Sequence, residues 1–359
     1  MKYIDEYRNK EFVLNLAKEI RKVSKKPLRL MEVCGGHTMS IQKFGIPSLL
    51  PETVELISGP GCPVCVTSRH FIDKAIAFSR VKDVIITTYG DLIRVPGSSS
   101  TLEKERANGA DVRIVYSILD ALEIAKKNRR KRIVFLGIGF ETTAPSSAAG
   151  LVKAQMAGLW NFHVYSAHKV MPPAMEALID EGVNINGYIG PGHVSTITGS
   201  GIYENIPKKY KLGVVISGFE PTDLMQSILM LVNQMENNNP HVEIQYTRAV
   251  KPEGNIKAQQ MLDEVFELGD DWWRGLGVLK NSGLKIRKAY ERHDAEKMIE
   301  VKVEATKEPK GCLCGEVLRG VTKPKECPLF GNVCTPSNPI GSCMVSNEGS
   351  CQAYYLYNR

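Results

Sequence analysis

The sequence predicts an α/β protein with two similar parallel-sheet α/β units and a cysteine-rich C-terminal region. Short apolar runs alternate with helical patterns, which is typical of parallel strands joined by crossover helices. Glycine-rich turns directly follow several of these runs, and six of the nine cysteines lie between Cys312 and Cys351. With 359 residues, of which 43% are hydrophobic, the chain is long enough for two or three domains.

The composition also narrows the class of protein. A net charge of +7, spread along the chain, does not by itself indicate nucleic-acid binding. No run of about 18 apolar residues is present, so no membrane span is expected, and the polar N-terminal residues do not resemble a signal peptide. We therefore expect a cytoplasmic protein, in which clustered cysteines indicate metal, iron–sulfur or redox chemistry rather than structural disulfides.

The elements follow in order along the chain. Apolar residues at helical spacing between Ile4 and Val23 predict an amphipathic first helix. Helical patterns near residues 71–76 and 118–125 separate several short apolar runs, and Pro252–Leu268 is predicted as a later helix. The runs predicted as buried strands are Leu28–Val33, Val54–Ile57, Val84–Thr88, Val112–Tyr116, Ile133–Ile138, Phe162–Tyr165, Tyr188–Ile189 and Val214–Ile216.

Paired glycine turns suggest that the two units face each other. Gly59–Cys62 resembles Gly190–His193, and Gly139–Thr143 resembles Gly218–Thr222. Each turn follows a predicted strand, where ligand sites of parallel sheets lie, although matches this short also arise by chance. Changes in composition place domain boundaries near residues 125–132 and 237–240, and the segment 304–311 reads as a linker.

The six late cysteines are the first candidate metal site. Their wide, irregular spacing and the glycines between them favour an iron–sulfur cluster, because tight turns must bring four thiolates around it. A zinc site is the alternative, although the two Cys-x2–4-Cys pairs usual for structural zinc are absent. Redox or disulfide chemistry is a third possibility. Spacing alone does not select the four ligands.

Two further cysteine motifs follow the first two strands. Cys62 and Cys65 form a Cys-x-x-Cys before a predicted helix, whose dipole would favour a thiolate; we interpret them as a redox dithiol, with half of a zinc knuckle as the alternative. Cys34 directly follows the first predicted strand, and His37 comes after two glycines. They fit a metal site, a nucleophile with its base, or a structural pair.

The turn Gly139–Thr143 supplies the remaining candidates. Thr142 and Thr143 are candidate contacts to a cofactor, and Glu141 is a candidate proton donor, although capping of a helix is the ordinary role of such a threonine. Gly137 and Gly139 begin a dinucleotide fingerprint, but Thr142 stands where its third glycine belongs.

These motifs together carry a resemblance to a known family. Cys34–Thr38, Gly59–Cys65 and Gly139–Thr143, with Cys327–Gly331 and the tail 341–351, resemble the signatures of the HypD family of [NiFe]-hydrogenase maturation proteins. The resemblance covers nearly the whole chain. It implies a redox-active scaffold that works with HypC to assemble an Fe(CN)2CO group, with cyanide coming through HypE from a thiocyanate-like carrier.

The resemblance also implies roles for individual residues and a division of the chain. Cys34 would bind the iron together with HypC, His37 and Thr38 would line that site, and Cys62 and Cys65 would be the redox pair. The implied [4Fe–4S] ligands are Cys312, Cys327, Cys334 and Cys351, leaving Cys314 and Cys343 as a possible disulfide. The implied domains are 27–125 (with 352–359 as an optional addition), 126–236, and a cluster domain 237–351 on which the N-terminal helix 1–26 packs.

Two other classes of protein remain open. One is a ferredoxin-linked thiol–disulfide oxidoreductase, which would use a cluster with Cys62 and Cys65 but leaves Cys34 and His37 unexplained. The other is a zinc-stabilised interaction protein. Cofactor colour and infrared bands of bound cyanide would distinguish the three classes.

Overall fold

The computed structural model describes residues 5–358 of the chain. Its strands are β1 Leu28–Glu32, β2 Val54–Ser58, β3 Val84–Thr88, β4 Val112–Ile114, β5 Arg132–Gly139, β6 Phe162–His168, β7 Gly187–Pro191, β8 Gly213–Ser217, β9 Val242–Ile244, β10 Phe266–Trp273 and β11 Gly277–Ile286. Its α-helices are α1 Lys10–Val23, α2 Gly35–Lys43, α3 Pro63–Val66, α4 Arg69–Ser79, α5 Leu102–Ala107, α6 Ile118–Lys127, α7 Ala144–Met156, α8 Pro172–Asp180, α9 Gly192–Thr198, α10 Pro221–Glu236, α11 Ile256–Val265, α12 Ala295–Met298, α13 Cys314–Leu318 and α14 Ser350–Tyr357.

Two parallel sheets form the framework, which confirms the predicted α/β class. The larger sheet has the order β2-β1-β7-β8-β9 and the smaller one β4-β3-β5-β6. All eight predicted runs lie in these strands, although β4 ends two residues earlier than expected. An antiparallel hairpin of β10 and β11, which was not predicted, forms a separate two-stranded sheet.

The chain does not complete one sheet before it starts the other. It leaves the larger sheet after β2, builds the whole smaller sheet from β3 to β6, and returns at β7, which pairs beside β1. The ranges 27–125 and 126–236 therefore do not each correspond to one sheet, because both sheets take strands from both ranges. The basic segment near residues 125–132 only connects α6 to β5 within the smaller sheet.

The N-terminal helix packs on the larger sheet's outer layer. The apolar face of α1, which includes Leu16 and Ile20, belongs to the same buried cluster as Leu224 and Ile228 of α10. Its position therefore differs from the predicted one on residues 237–351. The reason is that the apolar stripe of α1 meets the long apolar face of α10, where it removes hydrocarbon from water.

The smaller sheet separates two apolar cores. In β5, Ile133 and Phe135 face a core that α6 and α7 cover. Val134 and Leu136 face the main core, which also contains Cys62, Cys65 and several late cysteines. This alternation follows from the two-residue period of a strand, and it places Cys62, Cys65 and most of the late cysteines on one side of the smaller sheet.

The C-terminal third differs from the prediction in its first part. The helix predicted over Pro252–Leu268 is shorter, because α11 ends at Val265 and Phe266 begins β10 by pairing with Ile286. Later, α14 packs on α2, and Asn358 donates to the amide oxygen of Gln42 at 3.1 Å. None of the helices in residues 5–358 is long and apolar enough to cross a membrane.

Candidate functional site

Cys34 lies in a crowded turn where β1 passes into α2. Its backbone is extended, and helix α2 begins at the next residue. A Cβ atom on Gly35 would lie 2.4 Å from Cβ of Glu348, and one on Gly36 would lie 3.0 Å from the ring of Phe219. Only glycine fits this close approach. Burial, with smaller contributions from the carboxylates of Glu348 and Glu32, raises the pKa of the Cys34 thiol to about 12.

The buried side chain of Glu32 supports this turn through two hydrogen bonds. Glu32 accepts a hydrogen bond from the Thr38 hydroxyl at 2.5 Å and one from the backbone N–H of Cys34 at 3.3 Å. Burial raises the pKa of Glu32 to about 8, against the opposing effect of hydrogen bonds from Thr38, Ser58 and Cys34. Thr38 therefore helps to fix the turn through Glu32. Glu32 was not among the predicted site residues, although an acid within the apolar run 28–33 was a usable signal.

His37 presents one free ring nitrogen. Its Nε2 lies 3.2 Å from the carbonyl oxygen of Ser217, and because a carbonyl only accepts, Nε2 carries the proton. The buried Nδ1 has no hydrogen-bond partner among residues 5–358. Burial lowers the pKa of His37 to about 4, so the ring is neutral at physiological pH. The neutral ring therefore offers an unprotonated nitrogen, which can bind a metal or accept a hydrogen bond.

The aromatic ring of Phe219 stacks with two histidine side chains at this site. The His37 ring stacks on Phe219 with centroids 4.6 Å apart, and the His193 ring stacks on the same side chain at 3.9 Å. Phe219 belongs to the turn after β8, and His193 lies in the first turn of α9, which directly follows β7. The larger sheet thus brings the Cys34 turn, the start of α9 and the Phe219 turn together at its carboxyl edge, where ligand sites of parallel sheets lie.

Cys62 and Cys65 form a disulfide beside the Cys34 turn. Cys62 is the N-terminal cap of the short helix α3. A Cβ atom on Gly61 would lie 2.2 Å from the backbone nitrogen of Cys34, and the N–H of Gly35 donates to the carbonyl of Gly61 at 3.1 Å. The Cys-x-x-Cys loop therefore packs directly on the Cys34 turn, because β1 and β2 are neighbours in the sheet.

The other side of this loop contacts the late cysteines. The carbonyl of Cys65 accepts hydrogen bonds from the Ser342 hydroxyl at 3.1 Å and from Nε of the buried Arg274 at 3.0 Å. Arg274 also donates to the carbonyl of Thr67 at 3.0 Å. Ser342 precedes Cys343 in the chain. Neither Ser342 nor Arg274 was predicted to belong to the site, because neither is part of a recognisable motif.

The six late cysteines lie near one another. The sulfur atoms of Cys314 and Cys343 are 2.7 Å apart as free thiols, so the structure brings the predicted pair together. Burial raises the pKa of Cys312 to about 12, with charge on Cys314, Cys351 and Cys327 adding to the shift, and burial also raises the pKa of Cys334. The Sγ atom of Cys327 donates to the carbonyl of Gly311, beside Cys312, at 3.8 Å. The Sγ atom of Cys334 accepts from the N–H of Ile340 at 3.4 Å, and the next residue, Gly341, packs against the Sγ atom of Cys312. The predicted cluster ligands are Cys312, Cys327, Cys334 and Cys351.

The donor chemistry of these four residues fits a [4Fe–4S] cluster. In residues 5–358, no three His, Cys, Asp or Glu side chains form a group that could hold a metal ion. A cluster binds each thiolate through a different iron, so its ligands stand farther apart than those around one ion. Cys312, Cys327 and Cys334 lie outside the helices and Cys351 lies in the first turn of α14, and their four thiols supply the required soft donors.

Glu141 lies at the carboxyl edge of the smaller sheet. It follows β5 and is buried; one oxygen accepts from the N–H of Met171 at 3.0 Å, and the other has no partner among the described residues. Burial strongly raises the pKa of the Tyr203 hydroxyl, and charge on Glu141 and on Cys34 raises it further. Tyr203 therefore lies within electrostatic range of both sheets' candidate residues.

The two threonines after Glu141 have different surroundings. Thr143 occupies the cap position of α7 without a capping hydrogen bond from its side chain, so the expected capping role is wrong for it. Its hydroxyl donates instead to the carbonyl of Ile138 at 3.3 Å and lies against Gly139. Thr142 is half-buried. Their predicted contact with a cofactor remains a prediction.

The buried Glu141 carboxyl makes folding stability depend on pH. Burial raises its pKa from 4.5 to about 7, so the folded protein binds this proton more tightly than the unfolded chain. Stability contributed by the protonated form is therefore lost as the pH rises between about 5 and 7. We expect Glu141→Gln to remove roughly 2 kcal/mol of this pH dependence, as measured by urea unfolding at both ends of the interval.

The exposed Glu267 provides the matched control for this measurement. Glu267→Gln removes a carboxyl on the surface, so the wild-type pH dependence should persist in that variant. If Glu141→Gln showed the same pH dependence as the wild type and this control, the assigned shift of the Glu141 carboxyl would be wrong.

Comparison with known proteins agrees with the motifs at this site. A family model described as "HypD: Hydrogenase formation hypA family" matches residues 11–358. The chain is 47% identical to the hydrogenase maturation factor HypD of Azotobacter vinelandii, over 100% of this chain and 97% of the relative. It is 43% identical to the factor of the same name from Escherichia coli, over 100% and 99%. On this similarity along its whole length, the chain belongs to the HypD family.

Proposed function

We propose that this chain is a cytoplasmic hydrogenase maturation factor, a redox-active scaffold rather than a conventional turnover enzyme. With a HypC partner it would hold iron while an Fe(CN)2CO group is assembled, with cyanide arriving from HypE. The curated relatives at 43–47% identity carry the name hydrogenase maturation factor, which supports the general role. The arrangement of the thiols supports the finer assignment.

In this proposal the iron is the substrate and Cys34 is its ligand from this chain. A thiolate and strong-field cyanide together suit low-valent iron. Since burial raises the pKa of the Cys34 thiol, the free protein holds its proton, and binding of iron must displace it. The neutral His37, whose Nδ1 has no hydrogen-bond partner among residues 5–358, would accept a proton or contact the bound group.

The Cys62–Cys65 pair would supply the electrons for release of cyanide. A thiocyanate carrier reacts with two thiols to give the carrier thiol, hydrogen cyanide and one disulfide. The carbon–sulfur bond breaks, a sulfur–sulfur bond forms, and the two thiol protons pass to the carrier sulfur and to cyanide. The disulfide seen between Cys62 and Cys65 corresponds to the oxidised state after this step.

The late cysteines would return the pair to its reduced state. Cys312, Cys327, Cys334 and Cys351 would hold a [4Fe–4S] cluster, which supplies single electrons when bound. Cys314 and Cys343 remain as a second pair whose sulfur atoms are 2.7 Å apart, and they would store two electrons as a dithiol. Arg274 and Ser342 hold the carbonyl of Cys65 against this region.

One observation carries the proposal: the Cys-x-x-Cys loop contacts both other thiol sites. Gly61 packs on the backbone of Cys34, and Cys65 accepts a hydrogen bond from Ser342, next to Cys343. A redox pair that served an unrelated substrate would have no need to lie against Cys34. Its intermediate position is the one required if electrons reach a substrate held at Cys34.

Infrared spectroscopy tests the proposed function. The chain is produced anaerobically together with HypC and HypE, and the complex with HypC is isolated. We expect bands of iron-bound cyanide and carbonyl in the complex, and their loss in Cys34→Ala, because the iron then lacks its ligand from this chain. Unchanged bands in Cys34→Ala would show that this cysteine does not hold the iron.

The alternative function is a ferredoxin-linked thiol–disulfide oxidoreductase. The observation that favours it is the contact between the Cys62–Cys65 segment and the late cysteines, which such an enzyme would also need. It predicts reduction of protein disulfides by the isolated chain and no infrared bands of cyanide on its complexes. The scaffold function predicts those bands, so one spectrum separates the two proposals.

A further inference from the structure

A surface groove between α6 and α7 has no part in the thiol chemistry. The α6–α7 groove encloses a cavity of about 490 Å³. Its floor contains the buried side chains of Leu122 and Leu159, and its walls carry Leu119 and Met156. The groove overlies the core on the far side of the smaller sheet from the main core, which contains Cys62, Cys65 and most of the late cysteines. An occupant would therefore leave the Cys34 turn and the late cysteines uncovered.

The walls of the groove expose apolar side chains. Met156 is 83% exposed and Leu119 is 46% exposed. Leu122 and Leu159 extend this apolar surface inward. Contiguous exposed apolar surface marks interaction sites more often than scattered apolar residues do, and methionine adapts its shape to different partners.

The rim of the groove is basic. Lys126 of α6 and Lys153 of α7 both line it. Among residues 5–358, Lys153 forms no ion pair with a carboxylate. The acid that lines the groove, Glu123, is already paired with Lys126 at 2.6 Å. The groove therefore presents a net positive charge around an apolar floor.

We propose that the α6–α7 groove docks an acidic amphipathic helix of a partner protein. The α6 wall consists of Leu119, Leu122, Glu123 and Lys126, which form one stripe along the helix, so a second helix can lie alongside it. Apolar residues of the partner would fill the floor, and its acids would face Lys126 and Lys153. A duplex or single-stranded nucleic acid lacks the apolar face that this floor requires, and a membrane surface does not fill a concave groove.

This docking goes beyond the scaffold function and is independent of it. No residue of the groove belongs to the thiol sites, so a partner could be held while iron chemistry proceeds at Cys34. The chemistry that selects the partner is an apolar stripe flanked by carboxylates. Because its rim contacts are ionic, binding should weaken as the salt concentration rises.

The test uses the full-length chain and two fluorescein-labelled synthetic helical peptides. One carries leucines at positions i, i+3, i+4 and i+7 with glutamates elsewhere; the other has lysine in place of every glutamate. By fluorescence anisotropy we expect the acidic peptide to bind at least about tenfold more tightly than the basic one. Met156→Glu should weaken its binding at least about tenfold, and Lys126→Glu combined with Lys153→Glu should reverse the preference.

Substitutions elsewhere on the surface serve as matched controls. Val278→Glu places an acid at another exposed apolar position, and Lys251→Glu with Lys257→Glu reverses two exposed lysines outside the groove; both should bind the acidic peptide like the wild type. Equal binding of the two peptides, or no effect of Met156→Glu, would overturn the proposal. Tighter binding of an RNA oligonucleotide or of phosphatidylserine vesicles would also overturn it, in favour of those ligands.

Discussion

Replacing either Cys62 or Cys65 by serine is expected to reduce hydrogenase maturation at least about 100-fold. The reductive cleavage of a carbon–sulfur bond needs two thiols close enough to form a disulfide, and these two residues already form one. A serine hydroxyl neither forms that bond nor carries electrons. The measurement is hydrogenase activity in a host that lacks its own copy of this factor and is supplied with each variant.

Loss of structure must be separated from loss of chemistry in this experiment. The disulfide closes a very short loop, so its removal should cost at most about 2 kcal/mol of stability. Ser68→Ala is the matched control, because it removes the hydrogen bond from Phe71 N–H that caps α4, at a cost of about 1 kcal/mol, without touching a thiol. Normal maturation with both cysteine variants would show that the pair is not the electron source.

The sequence predicted the strands well and their arrangement poorly. Short apolar runs identify buried strands because both faces of a parallel sheet are covered. The insertion of the smaller sheet between β2 and β7 depends on pairings such as Leu30 with Gly187, which no local pattern encodes. The hairpin was missed because β10 includes charged residues; its Asp271 pairs with the buried Lys169 at 2.5 Å, a contact made only in the folded chain.

The candidate site was predictable where chemistry is carried by motifs. Cys34 and Cys62 follow adjacent parallel strands, so their meeting at one sheet edge could be inferred from the sequence. The groups that support the site could not be inferred from the sequence, with the exception of Glu32. Phe219 and Arg274 are of types that are common elsewhere in proteins, and only the fold shows that one stacks on His37 and the other holds the carbonyl of Cys65.

The late cysteines should divide into two classes when they are replaced singly. Cys327→Ser is expected to abolish the brown colour of the anaerobically purified protein and to reduce its iron content from about four atoms per chain toward zero. Cys314→Ser should retain both. The reason is that the Sγ atoms of Cys314 and Cys343 lie 2.7 Å apart as a second thiol pair, whereas Cys327 is one of the four proposed cluster ligands, and its Sγ atom lies 3.8 Å from the carbonyl oxygen of Gly311, beside Cys312.

Both replaced residues are buried free cysteines, so each variant is the structural control for the other. A general loss of packing would affect the two proteins alike, whereas loss of a ligand affects one. Visible absorption and iron analysis must therefore agree on which variant keeps the cluster. If Cys314→Ser lost its iron while Cys327→Ser retained it, the four ligands would be wrongly assigned. If the wild-type protein contained zinc instead of iron, the electron supply proposed for Cys62 and Cys65 would have no source among the late cysteines.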